Sequence, residues 1–105
     1  MPLSPRDPSI GIAYVVIGDG EIDQDHFDAA IEEYRKAIDF GLRRFYVYTN
    51  LAAAYAQTGR IDDAKEALAE ARQLNPAITV KWMIEHVPNN PAVFDGLRKA
   101  GLPEE

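Results

Sequence analysis

Seven carboxylates (Asp19, Glu21, Asp23, Asp25, Asp28, Glu32 and Glu33) fall within fifteen residues, the stretch of this chain richest in ligands for a hard cation. Inside it, Gly18-Asp19-Gly20-Glu21-Ile22-Asp23 imitates the second half of a calcium-binding loop. Such a loop needs oxygen donors at its first, third and fifth positions and a bidentate glutamate at its twelfth. Aligned on Gly20, those places hold Val15, Ile17, Asp19 and His26, so three of the four ligands are missing. The run is expected to be a solvated loop and helix start rather than a calcium site. Its field repels phosphate backbones, which argues against nucleic-acid binding.

The remaining chemical candidates fail on spacing. Gly18-x-Gly20 lacks the third glycine and the lysine of a nucleotide loop. Asp39-Phe40-Gly41 matches a kinase metal motif in letters alone, and a chain of 105 residues has no room for that fold. It reads as a helix end. His26 and His86 are far apart in sequence, with neither cysteine nor paired carboxylates to complete a metal site; surface or capping roles are expected. Ser4 and Ser9 have no base partner in a recognisable context. No catalysis, metal or cofactor is expected.

Composition narrows the class further. One domain is expected from 105 residues, with 47% hydrophobic and 27% charged residues, both ordinary for a globular chain. No apolar run approaches the roughly 18 residues of a membrane span. Met1–Pro8 has neither the charged flank nor the apolar core of a secretory signal. The absence of cysteine excludes a disulfide scaffold and fits a reducing cytoplasm.

The elements that would position any site come from self-comparison. At an offset of 34 residues Tyr14 pairs with Tyr48, Ile17 with Leu51, Phe27 with Ile61, Ala30 with Ala64, Tyr34 with Leu68, and Ala37 with Ala71. Phe27, Ala30, Ile31, Tyr34, Ala37 and Ile38 recur at helical steps over 25–40, with Gly41 as C-cap. Helices are also predicted over 45–58, ending at Gly59, and over 61–74, ending before Pro76. Thr79 would cap a helix over 80–87. Asn90-Pro91 would open one over 92–100, which Gly101 closes. Asp7-Pro8 looks like a further helix start, but the β-branched run Val15-Val16-Ile17 suits a strand as well as a helix. The repeat register assigns a helix to 10–17, which Gly18-Asp19-Gly20 would break or loosen. The fold class is therefore all-α, with five or six helices and no strand.

Tyr48, Leu51, Tyr55, Gly59, Ala64, Leu68, Ala71 and Pro76 resemble a tetratricopeptide repeat over 45–78, with Ala52 where the pattern often has glycine. Residues 11–44 resemble a degenerate copy, in which Glu21 replaces the aromatic and Leu42 the proline. The resemblance implies one domain over 1–105: two stacked helical hairpins and a helical cap over 79–103 that covers the last repeat's apolar face. Leu3-Ser4-Pro5-Arg6-Asp7-Pro8, Leu74-Asn75-Pro76-Ala77-Ile78-Thr79 and the closing stretch from Gly96 to Glu105 look like a narrower group. These are the C-terminal arrays of bacterial adenylate/guanylate cyclase-like and winged-helix regulators. None of their catalytic residues can be carried over, because the segment that would hold them is not in this sequence.

Function follows from the resemblance as an expectation. Stacked repeats bind proteins or peptides on a concave face lined mainly by the first helix of each pair. Tyr46, Thr49, Ala53, Ala56 and Gln57 would line it in the second repeat, and Ile12, Val15 and Asp19 in the first. The set carries no lysine or arginine, so a clamp for acidic carboxyl tails is not implied. A mixed groove suits an extended or helical peptide, or an adjacent domain; alternatively, two repeats offer too little concavity and the surface merely packs. Two other functions stay open. One is a homodimer through the apolar residues 10–17; the other is a small-ligand sensor walled by Tyr14, Tyr46, Tyr48 and Trp82. No nucleic-acid or membrane partner is expected.

Overall fold

A computed structural model describes residues 8–87 and 89–105. The expected cap Asp7 and the leader phrase before it lie outside the described residues. Six α-helices and no strand occur among those described: α1 (Pro8–Asp23), α2 (Phe27–Asp39), α3 (Phe45–Gln57), α4 (Ile61–Leu74), α5 (Val80–His86) and α6 (Pro91–Ala100). Helices α1 and α2 pair as one hairpin, α3 and α4 as the next, and α2 joins the hairpins by packing against α3. The result is elongated, 46 × 26 × 24 Å.

Helix ends follow the local chemistry. The Thr79 hydroxyl accepts from the Trp82 amide at 3.0 Å, and the Asn90 side chain accepts from the Ala92 amide at 2.8 Å. Gly41, Gly59 and Gly101 take φ of 90°, 81° and 101°, the left-handed turn that ends a helix without a Cβ clash. Asp25 sits at φ 60° in the turn between α1 and α2, a conformation that short polar side chains tolerate.

The ambiguous segment is helical throughout, and Gly18-Asp19-Gly20 does not break it. Helix α1 runs six residues past Ile17 to Asp23. Packing supplies the reason. A Cβ on Gly18 would come within 2.9 Å of the Tyr34 ring, and one on Gly11 within 3.0 Å of Leu42. Both glycines let α1 close onto its partner. Each costs helix propensity by about 1 kcal/mol, comparable to what burying Val15 or Ile22 returns at roughly 1.5–3 kcal/mol per side chain.

One core runs through both hairpins and the tail. The small residues Ala30, Ala37, Ala52, Ala64 and Ala71 are fully buried, where they let helices approach closely. The two second helices differ on one side. Ile31 is buried and Ile38 half-buried on α2, whereas Lys65 and Arg72, one period later on α4, are exposed. Helix α2 has a following hairpin to bury aliphatics against; α4 carries charge instead.

The tail does not extend the stack beyond α4. Its main partner is α3, with lesser contact to α4. The closing strand of chain is tied back to the start of α5, where the Val80 and Lys81 amides donate to the Pro103 and Glu104 carbonyls at 2.9 Å each.

Candidate functional site

Helix α3 carries the expected concave residues, and in the structure α6 crosses it at Ala53 and Gln57. Thr49, Ala53 and Ala56 are 0%, 1% and 4% exposed. Gly96 marks the crossing: a Cβ there would stand 2.6 Å from the Ala53 carbonyl oxygen and 2.8 Å from its Cα. Backbone cannot yield, so only glycine fits. Around this point α6 buries Val93, Leu97 and Ala100. Gln57 clasps the helix from the side. Its amide donates to the Ala92 carbonyl at 2.8 Å and to Asp95 at 3.2 Å, and its carbonyl accepts from Lys99 at 2.9 Å. Asp95 is held below its usual carboxylate pKa, first by the Gln57 bond and then by Lys99. At Ala53 and Gln57, two of the five residues expected to line an open groove, the chain's own helix is the neighbour. The physical cause is complementarity: a face of small residues accepts a close helix, and the tail supplies glycine at the contact.

The first-repeat residues fare differently. Val15 is buried, Ile12 is exposed, and Asp19 joins a polar network that the repeat pattern did not reveal. The Tyr34 hydroxyl donates to Asp19 Oδ1 at 2.5 Å. Asn50 donates to the same oxygen at 3.1 Å and accepts from Asn89 at 3.1 Å. Asn90 reaches Asp23 at 3.2 Å. One chain of bonds therefore ties α1, α2, α3 and the α5–α6 connection together. Burial, and then the neighbouring Asp19 carboxylate, push the Tyr34 phenol well above its ordinary pKa. It stays protonated and donates.

The rings proposed as ligand walls are distributed over the molecule. Tyr14 stacks on Phe40 at 5.5 Å. Tyr46 and Trp82 each contact Phe45 edge-on, and Trp82 stacks on His86 at 4.4 Å. Tyr48 lies elsewhere, with Leu51 and Tyr55, in an outer groove of about 430 Å³ between α3 and α4. His26 bonds Glu21 at 2.9 Å and His86 bonds the Trp82 carbonyl at 3.0 Å. Among the described residues no cluster of three or more histidines or carboxylates is arranged to hold a metal ion. No helix among them is long and apolar enough to cross a membrane.

Signals for three unforeseen roles were present in the sequence. Gly18 stands one period before Ala52, so it is the first repeat's small residue at the hairpin contact rather than a breaker. Asp19 and Asn50 stand one period from Ala53 and Val16, polar against apolar, a mismatch that marks them as special to one copy.

Paired helices repeated at a fixed interval define a helical-hairpin repeat protein. The tetratricopeptide repeat family matches twice, over residues 12–40 and 45–78, and the chain carries two tetratricopeptide repeats. It is similar to Protein bimA of Emericella nidulans, 24% identical over 74 residues. That match covers 70% of this chain and 9% of the relative. No solved structure matches significantly. Repeats of this family generally mediate binding to proteins or peptides.

Proposed function

We propose that this chain is a protein–protein interaction module in which α6 fills the second repeat's concave face in cis and α1 offers the surface for a partner. Tyr46, Thr49, Ala53, Ala56 and Gln57 then form a helix seat, with Ile12 and Val15 marking its continuation into the first repeat. The observation that carries the α1 surface is an aliphatic strip. Ile12, Val16 and Ile17 are 51%, 64% and 49% exposed, while the residues one period later on α3 (Tyr46, Asn50 and Leu51) are half-buried or buried. Three large aliphatics sharing one helix face, with no charged residue between Pro8 and Ile17, are costly to leave in water.

A second reading is a homodimer through residues 10–17, favoured because that strip is uncharged and therefore compatible with its own copy. A place in a regulator of the cyclase-like or winged-helix kind rests on the resemblance of the end phrases. Light scattering on a size-exclusion column across a concentration series tests the surface. Self-association abolished by Val16→Glu supports the homodimer. A monomer at every concentration, together with cross-linking of a partner to α1, supports the hetero-partner. A monomer whose α1 amides gain no protection from any partner overturns both.

A further inference from the structure

We infer that the outer groove between α3 and α4 is a docking site for a short basic, amphipathic peptide segment of a partner protein. This goes beyond the α1 surface and uses a different face. Tyr48, Leu51 and Tyr55 from α3 and Ala67 from α4 give the groove an apolar floor. Its volume, about 430 Å³, suits one or two inserted side chains. Along its α4 wall stand Asp63, Glu66 and Glu70.

The groove already displays the chemistry it would use. At one end the Arg60 guanidinium lies 4.7 Å from the centre of the Tyr55 ring and pairs with Asp63 at 3.0 Å. Glu66 and Glu70, further along the same helix and one turn apart, are exposed, and neither has an ion-pair or hydrogen-bond partner among the described residues. The complement of that arrangement is a leucine-like side chain over Leu51 and Ala67, with two arginines or lysines about one helical turn apart. The chain's net charge of −6 steers such a cation toward it and disfavours acidic tails.

The probe is an amidated nonapeptide of arginine, leucine and alanine with two arginines four residues apart, compared with its arginine-to-glutamate counterpart. Titration into the full chain, followed by amide chemical shifts, should move Tyr48, Leu51, Tyr55 and Ala67 with the basic peptide only. Glu66→Gln with Glu70→Gln should weaken binding by about tenfold, since each lost carboxylate removes a charge-assisted bond. Both positions are exposed, so the fold is unaffected. Val16→Glu should leave the titration unchanged, which separates this site from the α1 surface. The inference is overturned by no binding, by affinity that survives the double substitution, by shifts confined to the acidic run 19–33, or by loss of binding in Val16→Glu.

Discussion

Helices α1 and α3 occupy the same place in successive repeats, yet one has an open side and the other is enclosed. Helix α3 is packed by α2, α4 and α6, and every residue from Val47 to Ala56 is buried. Helix α1 is packed chiefly by α2, and leaves Ile12, Val16 and Ile17 in water. The difference does not come from helix-forming ability; α1 is the longer of the two, at 16 residues against 13. It comes from neighbours. A repeat specifies one side of each helix through its period, and what covers the remaining sides decides whether a position is core or contact surface.

Substitutions can break this comparison. The largest effect is expected for Gly96→Val, because the new side chain meets Ala53 backbone. It should cost about 3 kcal/mol and lower the melting temperature by roughly 10 °C or more, with amide exchange rising first in α6 and then in α3. Preserved stability and unchanged protection would mean that α6 does not sit closely on α3.

Tyr34→Phe comes next. Removing the hydroxyl leaves part of the Asp19–Asn50 network unpaired, at about 1–3 kcal/mol by denaturant titration. It also has a pH signature. The folded phenol is raised above its unfolded value of about 10, so its stabilisation is complete below that pH and declines as pH climbs beyond it. The wild-type chain should therefore lose stability at alkaline pH more steeply than Tyr34→Phe.

Val16→Glu is expected to change folding stability by no more than about 0.5 kcal/mol, since the side chain is already in solvent, while removing association through α1. A large loss of stability would place Val16 in the core and close the open side of the comparison. The smallest effect belongs to Asp95→Asn. Asp95 is depressed in the folded state, so its contribution is present above the unfolded carboxylate pKa and fades as pH falls through the folded one. Acid titration of the variant should be slightly flatter than that of the wild type.

The hairpins were legible because their determinants are periodic and local. Alanines at matched positions, a glycine after three of the helices and the Thr79 and Asn90 caps each act within a few residues, and each is where the sequence puts it. What was not legible is relational. Nothing in the spacing of Val93, Gly96, Leu97 and Ala100 says which helix receives them; the seat exists only once α2 and α4 have fixed the orientation of α3. Gly18 was misread because two glycines around one aspartate signal a break locally, while its role is set by Tyr34, sixteen residues on. Asp19 looked like one acid of a solvated run, and its link to Asn50 exists only once the fold brings both to one hydroxyl.

Occupation of the second repeat's concave face from within is tested most directly by proton NMR. Strong NOEs between the Ala53 methyl and the Gly96 α-protons are predicted. Thr49, Ala53 and Ala56 methyls should also be shielded from a soluble paramagnetic probe that broadens exposed Ala69. Absence of those NOEs, with Ala53 broadened as much as Ala69, would contradict it and leave the inner face open to a partner.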